Sequence, residues 1–300
     1  MARRRGGPRP LRVLVAYKKS AYQLYVRERS NVRIQRLIAS GDPAVARLLR
    51  ADSHHRDSLE RARHVLARLG ATVVFRFRNA PGVPDKYDLV ITLGGDGTLL
   101  WVSHFVGPST PMVAINTAPK DSVGFLCAGT REHLDDLLAD AVSGRLRATT
   151  LTRMQVELDE RVLSKRILND ALFCHESAAA TSRYLIQLGR KTEEHKSSGV
   201  WVGPAAGSTA AQASAGGRTL PARSKLLQFV VREPYEPNGR KYALKRGLVR
   251  PGDALSIKST MRAGRLFLDG PHLDYRVPVG SELRFRASDE PLVLLGFRRG

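Results

Sequence analysis

The sequence is poor in cysteine, in aromatic residues and in long apolar stretches. Cys127 and Cys174 are the only cysteines in 300 residues, too few for a disulfide framework or a zinc cluster. No uninterrupted apolar run approaches the roughly 20 residues that a membrane helix needs. The first ten residues are rich in Arg and Gly and lack the apolar centre of a secretory signal. These absences favour a cytoplasmic globular protein that has no membrane partner.

Acidic residues are scarce relative to basic ones, and 49 basic against 28 acidic residues give a formal net charge of +21. Such a balance raises nucleic acid as a partner. The cations are mostly arginine and scattered along the chain, however, and aromatic residues make up 6%, so no basic run is interleaved with stacking side chains. We therefore expect a solvated basic surface that can steer a small polyanionic substrate, with nucleic acid the less favoured partner.

The first half of the chain alternates between apolar strand patterns and helical patterns. This alternation predicts a doubly wound, Rossmann-like α/β domain, in which ligands bind beyond the carboxyl ends of the strands. The predicted strands are residues 11–17, 72–77, 88–93 and 112–116; the predicted helices are 56–69, 98–105 and 132–141, with a polar helical insertion at 22–52 and a Pro/Gly loop at 80–84.

The pattern changes near residue 149 to short alternating segments separated by turn residues. These predict a β-rich, sandwich-like domain; the clearest strands are residues 154–158, 184–188, 225–231, 254–259 and 266–268. A last apolar strand at 291–297 is expected to return to the first domain. We thus predict a disordered basic tail at 1–10, an α/β domain at 11–148 together with a returning strand at about 287–300, and a β-rich nucleotide-binding domain at 149–286.

The most informative segment is Gly94-Gly95-Asp96-Gly97-Thr98, which separates an apolar strand from a helix. Glycine lets a backbone turn sharply and approach a ligand, and a helix N-terminus presents unpaired N–H groups to phosphate. A carboxylate there is unfavourable unless it coordinates a metal or accepts a proton from a substrate hydroxyl. The segment therefore points to phosphoryl transfer. The alternative is a tight turn in which Asp96 caps the following helix.

Three segments of the second half add candidate binding residues. Small residues dominate 197–217, where Gly207-Ser208-Thr209-Ala210 is typical of a turn into a helix; a packed Ala/Gly helix or a linker is the alternative. Asn169-Asp170 follows an apolar strand and could bind a ribose or an adenine edge, or begin a turn. Asp269-Gly270 also follows a strand, and a hairpin turn is the simpler interpretation of that pair alone.

Together, these four segments resemble the NAD kinase family, in which a GGDG loop, an Asn–acid pair, a GSTA segment and a strand-borne Asp-Gly occur in this order. Val113–Asn116 and Gly124-Phe125-Leu126 are similar to two further family motifs. The segments Tyr17-Lys18-Lys19-Ser20, Ser197-Ser198-Gly199 and Arg232-Glu233-Pro234 are most similar to the plant NADH kinase and mitochondrial-type branch. The resemblance covers residues 11–298.

The resemblance implies an enzyme that transfers the γ-phosphate of ATP to the 2′-hydroxyl of the adenosine ribose of NAD or NADH, giving NADP or NADPH. Asp96 would be the general base or would orient that hydroxyl. The other residues implied to bind substrate or nucleotide are Gly94, Gly95, Gly97, Thr98, Asn116, Phe125, Asn169, Asp170, Ser208, Thr209, Ala210, Asp269 and Gly270. Mg²⁺ is expected to be held by the ATP phosphates rather than by a protein cluster. Family precedent implies a homodimer or a higher homo-oligomer.

Two departures from the family pattern leave questions open. Ala211 stands where many members carry an aromatic residue, so the choice between NAD and NADH is not fixed. The loop at 117–123 is longer than usual; Lys120 in it, or Lys18, could reach a phosphate, although an exposed loop lysine is the simpler interpretation. The choice between ATP and polyphosphate, and regulation, are also open.

Three other functions remain as alternatives: a lipid kinase of the diacylglycerol or sphingosine type with a GGDGT loop, a non-catalytic NAD(H) sensor, and a basic nucleic-acid-binding protein. The sequence shows no convincing amphipathic docking segment for a lipid kinase. An intact Asp96 argues against a mere sensor.

Overall fold

In a computed structural model of the protein, residues 9–77, 86–120, 122–236 and 241–297 are described, and the chain divides into two units. One comprises Met1–Thr149 with Val293–Arg298, and the other comprises Thr150–Leu292 with Arg299–Gly300. Ser288 bonds within the second unit, its N–H donating to the Arg153 carbonyl at 2.8 Å, and the chain returns to the first unit at Val293. Residues 1–8 of the predicted tail and the predicted loop at 80–84 lie outside the described residues.

The first unit is built on a seven-stranded sheet. Its strands are β1 (Arg12–Tyr17), β2 (Thr72–Phe77), β3 (Leu89–Leu93), β4 (Met112–Asn116), β5 (Gly129–Thr130), β6 (Ala148–Leu151) and the last strand of the chain, β19 (Leu292–Leu295). The order is β2-β1-β3-β4-β19-β6, with β5 paired to β4. Strands β1 to β4 pair in parallel, and Leu294 of β19 pairs in parallel with Met112. Strands β3 and β4 are buried along their whole length, as continuous apolar runs in parallel sheets require.

Four α-helices accompany this sheet among the described residues of the first unit: α1 (Val32–Ala39), α2 (Ala46–Arg68), α3 (Asp96–Ser103) and α4 (Leu134–Val142). The helix predicted at 56–69 is the second half of α2, which begins ten residues earlier than expected. The predicted insertion at 22–52 forms a π-helical segment (Gln23–Glu28), α1 and the start of α2. Buried residues of α2 and α4 pack with the strands in one core that includes Leu66, Ile91 and Leu138.

The direction of winding reverses between β1 and β3. Strand β2 follows β1 in the chain and lies on one side of it, whereas β3 lies on the other side. In open parallel sheets, ligands bind outside the carboxyl ends of the strands at such a switch point. The segments after β1 and β3, at residues 18–20 and 94–98, therefore flank the expected crevice.

The second unit consists of two six-stranded antiparallel sheets. The strands are β7 (Met154–Leu158), β8 (Arg161–Ile167), β9 (Ala171–His175), β10 (Ser182–Leu188), β11 (Lys191–Ser197), β12 (Val200–Pro204), β13 (Leu227–Val231), β14 (Arg246–Val249), β15 (Leu255–Ser259), β16 (Gly264–Leu268), β17 (Leu273–Val277) and β18 (Glu282–Ala287). One sheet has the order β11-β10-β15-β18-β7-β8, and the other has the order β14-β13-β12-β9-β16-β17. Both sheets contribute to one hydrophobic core, in which the rings of Phe173 and Tyr184 meet edge to face at 5.8 Å.

Candidate active site

The three glycines after β3 differ in how much space the surrounding residues leave for a side chain. A Cβ on Gly94 would collide with the side chain of Thr98, and one on Gly95 would collide with the Ser122 hydroxyl. Packing alone therefore excludes a side chain at either position. A Cβ on Gly97, in the first turn of α3, would meet nothing within 4 Å. The packing of the fold therefore does not require glycine at this position.

The Asp96 carboxylate is held by the turn at residues 124–127. Its Oδ2 accepts the N–H of Phe125 at 2.7 Å, and its Oδ1 accepts the N–H of Leu126 at 2.8 Å. The Cys127 thiol lies 3.9 Å from Oδ1. Helix α3 has no side-chain cap, so the alternative in which Asp96 caps this helix does not describe its contacts. The carboxylate is oriented before any ligand arrives.

Asn116, at the end of β4, shapes the same turn. Its amide nitrogen donates to the Ser122 carbonyl at 2.8 Å, and its amide oxygen accepts the N–H of Ala118 at 3.0 Å. Gly124 has φ +64°, and a Cβ there would lie 2.5 Å from the Asn116 amide nitrogen. The predicted binding residue Asn116 thus acts on the loop that holds Asp96.

Burial and the neighbouring Asp96 carboxylate raise the pKa of Cys127 to about 12. The thiol therefore stays protonated at neutral pH and directs its weak donor toward Asp96. The ring of Phe125, two residues before Cys127, meets the ring of Phe297 edge to face, with 6.3 Å between the ring centres.

A second polar cluster lies after β1, and the sequence interpretation did not identify it. The Ser20 hydroxyl donates to Asp52 Oδ1 at 2.5 Å, and Arg56 Nε donates to Asp52 Oδ2 at 3.0 Å. His55 Nδ1 lies 3.1 Å from the Thr117 hydroxyl. Asp52 is 2% exposed and His55 is 3% exposed. The signal that could have found them is their spacing of three along a polar helix, which places both on one face.

In the second unit, Asp269 holds the turn that carries Asn169 and Asp170. Its carboxylate accepts the N–H groups of Leu168 at 3.0 Å, Asn169 at 2.7 Å and Asp170 at 3.1 Å. The Asn169 amide donates to Asp170 Oδ2 at 2.9 Å. Asp269 itself has φ +48° and the following Gly270 has φ +108°, so a tight left-handed turn aims the carboxylate back at residues 168–170.

Burial first, and the Asp269 charge second, raise the pKa of Asp170 to about 7. A carboxyl group that titrates near neutral pH can donate as well as accept a hydrogen bond.

Gly207 packs against the same turn, and Ser208 follows it. A Cβ on Gly207 would collide with the Asn169 carbonyl, so only glycine lets these two backbones touch. The Ser208 hydroxyl is buried; it donates to the Ala205 carbonyl at 2.7 Å and accepts the N–H of Leu220 at 2.9 Å. Thr209 and Ala210 are exposed, and the helix after them, α5 (Ala211–Ser214), is a single turn.

Several of the predicted site residues are linked within each unit. In the first unit, Asp96 accepts the N–H of Phe125, and Asn116 holds the preceding loop through the Ser122 carbonyl. In the second unit, Asn169, Asp170 and Asp269 share one hydrogen-bonded turn, with Gly207 against it.

Comparison with known proteins identifies the family. Residues 80–146 match the model of the ATP-NAD kinase N-terminal domain. The probable NADH kinase of Oryza sativa subsp. japonica is 32% identical over 80% of this chain and 80% of its own length. The NADH kinase of Arabidopsis thaliana is 34% identical over 69% of this chain and 71% of its own. The chain belongs to the NAD kinase family.

The fold agrees with this membership. The crystal structure of an NAD kinase from Archaeoglobus fulgidus in complex with ATP superposes with a TM-score of 0.67, covering 96% of this chain and 94% of the other at 18% identity. Across the part of the chain that the structure describes, the NAD kinase family member has no helix long and apolar enough to cross a membrane.

Proposed function

We propose that this NAD kinase family member transfers the γ-phosphoryl group of ATP to the 2′-hydroxyl of the adenosine ribose of NAD or NADH, with Asp96 as the general base. The observation that carries the proposal is the Asp96 carboxylate itself, fixed at the start of α3 by the N–H groups of Phe125 and Leu126. Family membership, the named NADH kinase activity of the plant relatives and the ATP bound in the archaeal structure support the reaction and the donor.

The two hydrogen bonds leave each Asp96 oxygen with further acceptor capacity. As the ribose oxygen attacks the γ-phosphorus, its proton passes to Asp96, the bond from the γ-phosphorus to the bridging oxygen breaks, and ADP leaves. A positioned base of this kind contributes on the order of 10²–10⁴ in rate. We expect the diphosphate to approach at Gly97, where a Cβ would meet no atom of the protein within 4 Å.

Magnesium enters this proposal as part of the MgATP substrate. Among the described residues, no group of three or more His, Cys, Asp or Glu side chains is placed to hold a metal ion. This donor set does not fit a magnesium cage made of protein ligands, and it is compatible with an ion held by phosphates and water.

For the second unit, we propose that Asn169 and Asp170 contact ribose and adenine, with Ser208, Thr209 and Ala210 along the adenine pocket. Asp269 acts there as the positioning residue for the Asn169–Asp170 turn, because its carboxylate accepts three N–H groups from residues 168–170. We also propose that the first unit is Rossmann-like and that the second unit is sandwich-like. A homo-oligomeric assembly and a cytoplasmic location stay predictions.

The test is phosphorylation of NAD and, separately, of NADH by the purified protein with MgATP. Asp96→Asn should keep the fold and lose on the order of 10²–10⁴ in turnover. Asp136→Asn is the matched control, because Asp136 is an exposed carboxylate of α4. Near-normal turnover in a folded Asp96→Asn protein would refute the role of Asp96, and absence of product from the wild-type protein with both substrates would refute the function.

A further inference from the structure

Residues 17–20 comprise the last residue of β1 and the segment after it, and they lie beside the loop that carries Asp96. Strands β1 and β3 are parallel neighbours, and Tyr17 pairs with Leu93 at their carboxyl ends. Lys18 and Gly94 therefore follow directly from two paired residues on strands about 4.8 Å apart. This is also the point where the winding of the sheet reverses.

Helix α2 holds residues 17–20 in place through a hydrogen bond to Ser20. The Ser20 hydroxyl donates to Asp52 at 2.5 Å and accepts the N–H of Gln23 at 2.9 Å. The buried Asp52 carboxylate also pairs with Arg56 at 3.0 Å and with Arg27 at 3.7 Å. Since a buried carboxylate is costly unless it is paired and hydrogen-bonded, this arrangement is a built anchor for residues 17–20.

His55, one turn further along α2, connects this segment to the end of β4. Its Nδ1 lies 3.1 Å from the Thr117 hydroxyl, and its ring lies 6.3 Å from the Tyr17 ring. Burial lowers the pKa of His55 to about 4, the Lys18 backbone acts in the opposite direction, and the Lys18 charge acts with burial. Thr117 directly follows Asn116, the residue that holds the Asp96 turn.

A cation near Asp96 would neutralise the negative charge that the substrates bring to this site. Residues 94–98 and 124–127 carry one charged side chain, the negative Asp96. Phosphoryl transfer brings several negative charges there, and enzymes neutralise them with metal ions and with Lys or Arg. The ammonium of Lys19 lies 2.8 Å from Glu28 and 4.9 Å from the centre of the Phe77 ring, so it is directed to that pair. Lys18 is also half-buried, and it is the residue that directly follows β1.

We propose that Lys18 binds a phosphate group of the nucleotide substrates beside Asp96, held in place by the Ser20–Asp52 and His55–Thr117 contacts. This inference rests on the proposed function. The phosphate belongs either to ATP or to the pyrophosphate of NAD(H), and the experiment separates the two sources.

The experiment compares Lys18→Met with the wild-type protein, with Lys18→Arg and with Lys19→Met. Lys19→Met is the matched control, because it removes the same charge one residue away from an ammonium directed to Glu28. Initial rates are measured with MgATP and NADH both varied, and the dissociation constants of MgATP and of NADH are measured by calorimetry.

Loss of one charge-assisted phosphate contact should weaken binding or turnover by about 10- to 100-fold in Lys18→Met, with most of the loss restored by Lys18→Arg. An increase in the KM and Kd of MgATP assigns the contact to ATP. An increase in the KM and Kd of NADH assigns it to the pyrophosphate of NADH. A fall in kcat alone assigns it to the phosphoryl group that is being transferred. Lys19→Met should stay within about threefold of wild type, since exposed ion pairs contribute little.

Lys18→Met values within threefold of wild type in every parameter would overturn the inference and leave the proposed function standing. If the wild-type protein binds nucleotide without turning it over, the proposed function is refuted. The dissociation constants of the Lys18 variants then decide the inference about Lys18. A wild-type protein that binds neither nucleotide would overturn both.

Discussion

The carboxylate of Asp269 accepts the backbone N–H of Asp170 at 3.1 Å, so two acidic residues meet where β16 ends and β9 begins. Asp170 is 4% exposed, and burial together with the Asp269 charge raises its pKa to about 7. Asp269 is satisfied by three N–H donors, whereas Asp170 has the Asn169 amide. One carboxyl therefore holds the turn, and its neighbour is available to change protonation near neutral pH.

Asp170 should make the second unit less stable as the pH rises. Its folded-state pKa of about 7 exceeds the ordinary 3.8, so the folded chain binds an extra proton between these values. Its contribution should thus fall by at most about 1.4 kcal/mol per pH unit from near pH 4 to near pH 7 and be constant above. The measurement is urea unfolding of wild type and Asp170→Asn across this range, followed by Trp201 fluorescence in a Trp101→Phe background, because Trp201 lies on β12. A pH-independent difference between the two proteins would contradict the assignment.

Local signals in the sequence located β1 to β4 and about half of the other strands, whereas strands such as β8, β11 and β14 were not predicted. Continuous apolar runs located β3 and β4, and glycines followed by a helical pattern located the loop that carries Asp96. The family resemblance added the order of the binding segments. The start of α2 was missed because Val45, the residue before it, offers no side-chain cap that the sequence would reveal.

Contacts between distant residues could not be predicted in this way. Asp269 and Asn169 are 100 residues apart, and a strand-end Asp-Gly is locally an ordinary hairpin turn. Gly207 needs to be glycine because of the Asn169 carbonyl, which tertiary packing alone brings there. The Asp52 and His55 anchor likewise depends on β1 and β4 meeting α2.

Replacing Asp269 should destabilise the second unit strongly. Asp269→Ala leaves the N–H groups of residues 168–170 without their carboxylate acceptor. Such losses cost about 1–3 kcal/mol for each buried donor, so we expect a decrease of about 3 kcal/mol or more in the free energy of unfolding. Chemical denaturation checks this. The control Asp274→Ala removes an exposed carboxylate that pairs with Arg265 at 2.8 Å, and it should cost less than about 1 kcal/mol. Equal effects of the two substitutions would contradict the positioning role.

Gly97→Ala should separate folding from activity. A Cβ at Gly97 meets nothing within 4 Å, and alanine inside a helix is favoured over glycine by roughly 0.5–1 kcal/mol. The variant should therefore fold as well as wild type or better, yet lose on the order of 10² in kcat/KM, because a methyl group displaces the phosphates from the loop. Melting temperature and kcat/KM are measured together. Gly207→Ala is the opposite case, since its Cβ collides with the Asn169 carbonyl and should lower the melting temperature. Full activity in Gly97→Ala would show that no ligand approaches this residue.

His55 should make the first unit sensitive to acid. Burial lowers its pKa from 6.5 to about 4, so the folded chain binds fewer protons than the unfolded chain between these values. The stability that the neutral ring provides is therefore complete above about pH 6.5 and is lost as the pH falls toward 4, by at most about 1.4 kcal/mol per unit. This slope is opposite in sign to that of Asp170. Because Trp101 lies on α3, its fluorescence in a Trp201→Phe background follows the first unit alone.

In that background, His55→Gln cannot take up the proton and should lose the acid-dependent part of the slope. His54→Gln is the control, since His54 is the neighbouring, half-exposed residue of the same helix, and it should keep that part. Glutamine retains a hydrogen-bonding side chain toward Thr117, so the His55 variant should stay folded at neutral pH. If both variants keep the wild-type slope, the groups that destabilise the first unit in acid lie elsewhere, and the His55–Thr117 contact then acts through packing and hydrogen bonding without a proton change.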